Sequence, residues 1–92
     1  MGERVRDEPA LAAIADACLM HLIARPEQLG AFMTATGHDG TTLRAALDTE
    51  PLRRGLIDYM AGNEPLMLEV CAEAGFRPEQ VSALWQRLNT VA

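Results

Sequence analysis

Cys18 and His21 stand three residues apart, so on a helix they share a face, and Cys71 with His38 would complete a four-ligand set. Structural zinc sites draw closely spaced ligand pairs from two places in the chain. Here the second pair is missing, and no metal or cofactor is expected. A Cys/His nucleophile needs an exposed thiolate of low pKa beside an imidazole. Both cysteines lie in apolar stretches that predict buried, reduced thiols behaving as small hydrophobes. Glu69 and Glu73 are one helical turn apart. Like charges at that spacing are mildly unfavourable, so the pair marks either a binding site or the solvated edge of an apolar helix. The chain holds no glycine-rich phosphate loop, no Gly-x-Ser-x-Gly elbow and no His-Glu-x-x-His. Catalysis finds no constellation here, and the chain is not expected to be an enzyme.

Charge narrows the partners. Thirteen acidic residues face eight basic ones, all arginine, for a formal net charge of −5. Nucleic acids and anionic membranes both call for a positive footprint, so neither is expected as a partner. Short helices joined by tight turns do resemble helix-turn-helix domains. Such domains load their second helix with basic residues, whereas the helix after Gly75 offers Arg77 and Arg87, and the one after Gly37 offers Arg44. Arg53 and Arg54 form the only adjacent basic pair, opposite a Leu52/Leu56 stripe, and read as a solvated face. The apolar stretches Ala10–Ala15 and Ala17–Met20 are split by Asp16 and closed by His21. They fall well short of the ~20 residues of a membrane span, and no signal peptide is visible. The expected location is the cytoplasm, and a lysine-free chain rich in Ala and Arg points to a GC-rich bacterial genome.

The elements that must hold these residues are punctuated by proline. Pro9, Pro26, Pro51, Pro65 and Pro78 each precede a helical apolar pattern, and Glu8, Glu27, Glu50, Glu64 and Glu79 stand beside them. Proline suits the first helical turn, where its missing N–H would be unpaired anyway. Acidic side chains there are favoured by the helix dipole. Five helix starts follow. The stripes Leu29/Phe32/Met33/Thr36, Leu52/Leu56/Tyr59/Met60 and Val81/Leu84/Trp85/Leu88 fit the helical template. A sixth helix starts near Asp39 as cap and carries Leu43, Ala46 and Leu47. No stretch alternates like a strand. Ninety-two residues suit one domain with a radius of gyration of roughly 12 Å. The predicted architecture is therefore all-α, a compact orthogonal bundle of five or six short helices over residues 8–92, behind a flexible tail at 1–7.

Pro9–Ala24 and Pro65–Ala74 are apolar nearly all round, which places these two helices centrally. On that placement Leu68→Asp abolishes folding. The alternative makes Leu66, Met67, Leu68 and Val70 a partly exposed partner surface. Gly30 and Gly55 fall inside helices at a cost of roughly 1 kcal/mol each relative to alanine, and close approach of two helix backbones would explain them, with a ligand or partner backbone as the functional alternative. Phe32–Leu47 aligns without gaps on Val70–Trp85, and Arg-Pro-Glu-Gln occurs at Arg25–Gln28 and Arg77–Gln80. In both repeats a glycine, Gly37 or Gly75, fits the left-handed position that closes a helix. His38 and Phe76 follow, placed to staple onto Leu43 or Val81.

The run Arg25-Pro-Glu-Gln-Leu-Gly-Ala-Phe-Met-Thr-Ala-Thr-Gly37, followed by Leu43-Arg44, Leu56-Ile57-Asp58-Tyr59-Met60 and Glu64-Pro65-Leu66-Met67-Leu68, resembles a small alphaproteobacterial domain-of-unknown-function family. The resemblance spans Ala10 to Leu88 and closes on Gly75 and Pro78; Asp39-Gly40 departs from the family's commoner cap-then-proline. It implies an all-helical fold and carries no activity, cofactor or catalytic residue with it. The leading functional expectation is a non-enzymatic protein-interaction module, binding a protein partner or itself. The alternatives are a small-molecule or metal-binding protein using the Cys18/His21/Cys71 region and, disfavoured by charge, a DNA-associated regulator.

Overall fold

Local chemistry at the helix ends sets the element boundaries. The computed structural model describes the backbone of residues 2–90 and the side chains of residues 10–90. It contains α1 (Gly2–Ile23), α2 (Pro26–Thr36), α3 (Gly40–Ala46), α4 (Glu50–Ala61), α5 (Glu64–Ala74) and α6 (Pro78–Asn89), with no strand among the described residues. Pro26, Pro51, Pro65 and Pro78 sit in the first turns of α2, α4, α5 and α6 as expected. Asp39 caps α3: its carboxylate accepts the Thr42 N–H at 2.8 Å, and the Thr42 hydroxyl accepts the Asp39 N–H at 2.8 Å. The Thr42 N–H, helped by the Thr42 hydroxyl and the Thr41 N–H, holds the Asp39 carboxyl below its ordinary range. Thr49 and Asn63 cap α4 and α5 with one bond each, their side-chain oxygens accepting the Leu52 and Leu66 N–H. Gly37 (φ 79°) and Gly75 (φ 82°) occupy the left-handed closing position of α2 and α5.

Pro9 departs from the rule. α1 already begins at Gly2, so Pro9 lies inside it and does not mark its start. At the eighth helical position Pro9 lies beyond the four unpaired N–H groups of a helix start, so α1 loses there the hydrogen bond that a backbone N–H would give the Val5 carbonyl. The tail expected over residues 1–7 falls on residues whose side chains lie outside those described.

The core joins all six helices. α1 contributes Leu11, Ile14, Ala15, Cys18 and Leu22 along one face, and α4 contributes Leu52, Leu56, Ile57 and Met60. Phe32 from α2 is fully buried and meets the Tyr59 ring edge-on, centroids 5.0 Å apart. Such a pair adds about 1 kcal/mol beyond its buried area. α5 supplies Leu66, Met67, Val70 and Cys71, and α6 supplies Val81 and Leu84. The chain has a Cα radius of gyration of 12.7 Å.

Two expectations need correction. α5 is not the second central helix: α4 and α5 each pack on three helices, α4 on α1, α5 and α6 and α5 on α1, α4 and α6, but α1 meets α4 far more extensively than it meets α5. Apolar content on both sides of a helix does not make it central; a continuous stripe facing several neighbours does, and α4 has that stripe despite Arg53, Arg54 and Asp58. Leu68 is 47% exposed, so its replacement by a charge is not expected to abolish folding. The glycines are the second correction. A Cβ at Gly30 or Gly55 would meet nothing within 4 Å, so no close helix approach requires either one.

Candidate functional site

The polar residues that interrupted the apolar helices find each other. His21 ends the inner face of α1 and is 3% exposed. Its Nδ1 donates to Glu73 Oε1 at 2.8 Å, and its Nε2 faces Gln28 Oε1 at 3.0 Å and Glu69 Oε1 at 3.2 Å. Arg25, in the turn between α1 and α2, pairs with the second oxygen of Glu73 and donates from Nη1 to the His21 carbonyl at 3.1 Å. Glu69 and Glu73 project from one side of α5 because they are four residues apart. Their mutual repulsion is offset by the imidazole between them and by Arg25. The His21 hydrogen bond, followed by the charges of His21 and Arg25, holds the Glu73 carboxyl below its usual range.

Every atom facing the imidazole is an oxygen acceptor. A doubly protonated ring satisfies all three contacts. A neutral ring protonated on Nδ1 satisfies Glu73 alone, unless the Gln28 amide turns its NH₂ to Nε2. In both states the ring nitrogens face partners within the protein. The knot therefore ties α1, α2 and α5 and leaves no lone pair aimed at solvent for attack or ligation.

The three residues of the ligand-binding alternative are all buried, His21 in the knot and Cys18 and Cys71 in the core. Cys18 is fully buried and its thiol is pushed up to about 12 by that burial. Cys71 is also buried, and its thiol is raised by burial and then by the Glu79 charge. Neither thiol offers a thiolate near neutral pH. His38 serves a turn, its Nδ1 lying 3.1 Å from the Thr42 hydroxyl. Among the described residues, no group of three or more His, Cys, Asp or Glu is placed to hold a metal ion.

The expected partner surface is also rearranged. Leu66, Met67 and Val70 lie in the core, and only Leu68 of that set faces water. Alternate sides of one α-helix cannot share a surface, and these residues straddle the packed side of α5. Arg53 and Arg54 are not simply solvated either. Arg54 pairs with Glu50 at 2.9 Å and reaches the Leu88 carbonyl at 3.5 Å. Arg53 is half-buried, 3.7 Å from Asp48, with its Nε buried and without a hydrogen-bond partner.

The open surface lies elsewhere. Met20 is 68% exposed and Ile23 53% exposed, one turn apart on the outward side of α1, where Ala13, Asp16 and Ala24 are exposed too. Beside them a hollow of about 230 Å³ lies between α1 and α5, with the Arg25–Glu73 pair at its edge. The sequence hinted at this face only weakly, because an all-round apolar helix reads as buried. The knot had a clearer signal: one histidine in an apolar helix and one carboxylate pair in another.

Among the described residues, α1 of 22 residues and five shorter helices enclose a core dominated by Leu, Ile, Val and Met and pinned by a buried imidazole, which defines a small all-α domain. Residues 8–90 match the family described as Protein of unknown function (DUF3572), and the chain belongs to that family. No curated protein and no solved structure matches it. Among the described residues, no helix is long and apolar enough to cross a membrane.

Proposed function

We propose that the protein is a non-enzymatic interaction module of a bacterial cytoplasm, working through the outward face of α1. The observation that carries this reading is the adjacent exposure of Met20 and Ile23, in a face whose only charge between Ala13 and Ala24 is Asp16. Contiguous exposed apolar side chains mark contact sites, and methionine adapts its shape to a partner. The chemistry elsewhere supports the same reading. The imidazole is engaged on both nitrogens, and the thiols are held neutral by burial. The adjacent arginines meet Asp48 and Glu50 within the chain, which weakens a phosphate-binding reading.

Native mass spectrometry of the tagged chain, isolated gently from bacterial cells, tests this. The expected result is a reproducible protein adduct that disappears in Met20→Asp. A lone chain mass in both proteins, together with a purified chain that stays monomeric at high concentration, would reject the module, and a zinc or small-molecule adduct would revive the ligand-binding alternative.

A further inference from the structure

The α1 face also carries the shape of its partner, and, resting on the interaction reading, we infer that this partner is α1 of a second copy running antiparallel. Ala17, Met20, His21 and Ala24 lie at i, i+3, i+4 and i+7 and line the hollow whose far wall includes Val70 and Ala74 of α5. The first three belong to α1, and Ala24 is the turn residue that follows it, its N–H still bonded to the Met20 carbonyl at 3.1 Å, so the four keep the spacing of a hole that accepts a knob from a facing helix. The alanines keep the hole open and admit a close backbone. The side chain best placed to be the knob is Met20, the most exposed large apolar residue described.

The surface is complementary to itself when a two-fold axis falls between residues 20 and 21. Each Met20 then meets the other copy's hole, Ala17 faces Ala24, and Asp16 faces Arg25. Asp16 is exposed, and the Arg25 side chain is 38% exposed. A guanidinium has five donors, so Arg25 can hold Glu73 and the His21 carbonyl and still reach Asp16 of a second copy. A parallel arrangement would instead set Asp16 beside Asp16. Opposite charges thus flank an apolar centre on both sides, which fixes direction and register. The contact spans only about three helical turns, so association is expected to be weak, on the order of micromolar to sub-millimolar.

Sedimentation equilibrium of the purified full chain, from about 10 μM to about 1 mM, should show a species of twice the 10.0 kDa chain mass. Met20→Asp should weaken association at least tenfold while circular dichroism stays helical, and Leu68→Asp on α5 should leave it unchanged. Ala17→Cys mixed with Ala24→Cys should form an intermolecular disulfide under mild oxidation, and neither variant alone should do so readily. A monomer throughout this range would overturn the second copy, as would Ala17→Cys linking to itself as fast as to Ala24→Cys. If the chain is a monomer by sedimentation but carries a different protein lost in Met20→Asp, the self-pairing falls and the interaction module stands.

Discussion

α1 and α5 meet at the His21 knot, and both carry more apolar residues than their packed faces use, yet they occupy different places in the molecule. α1 is central: its inner face runs from Leu11 to Leu22 through the core, while its outer face presents Met20 and Ile23. α5 is half as long and makes smaller contacts with α1, α4 and α6, burying four residues and exposing Leu68 beside charged neighbours. Among the described residues, surplus apolar surface on α1 gathers into a patch of two large side chains one turn apart, Met20 and Ile23. On α5 it amounts to one leucine among glutamates. The lesson is that the length and position of a helix, rather than its apolar content, decide whether surplus surface can become an interface.

The sharpest way to break the comparison is at the inner face of α1. Leu22 is fully buried beside the knot. Leu22→Ala removes its transfer energy and leaves a cavity, so it should cost about 3 kcal/mol in urea unfolding. A loss below about 1 kcal/mol would mean that α1 is not the centre.

Helix starts at Pro26, Pro51, Pro65 and Pro78, the Asp39 cap and the Gly37 and Gly75 closures were legible because each carries its own local chemistry. What lies across from a residue is not local. Gly30 and Gly55 suggested close contact and face open space. Leu66, Met67 and Val70 were grouped with Leu68 by proximity in the chain, although the helix turns them onto different sides. The His21 knot joins residues 48 and 52 positions apart, and only tertiary packing brings α5 against the end of α1.

The knot itself sharpens the comparison at an intermediate scale. His21→Ala empties a buried site and leaves Glu69 and Glu73 facing each other without the imidazole. Because both carboxylates are about half exposed, water can solvate them again, and the expected loss is about 1 to 2 kcal/mol. The same variant should alter the response to acid. Glu73 has a depressed folded-state pKa, so its contribution is present above the unfolded value of about 4.3 and is lost as pH falls through the lower folded value. Wild-type unfolding free energy should therefore drop more steeply than that of His21→Ala between about pH 5 and about pH 2. Parallel profiles would show that the imidazole does not set the Glu73 titration.

Leu68→Asp is the smallest effect and separates the two helices most directly. The residue is 47% exposed, so little buried area is lost, and exposed substitutions usually stay within about 0.5 kcal/mol. The new carboxylate stands four residues after Glu64, a like-charge spacing that costs a few tenths of a kcal/mol more, roughly 0.2 to 0.5. A cooperative melt shifted by only a few degrees, at about 1 kcal/mol or less, is the expected outcome. Loss of helical circular dichroism at room temperature would instead put Leu68 in the core and make α5 central. Met20→Asp should be equally mild for folding, since Met20 is more exposed still. The two variants then differ in association alone, and that difference assigns the interface to α1.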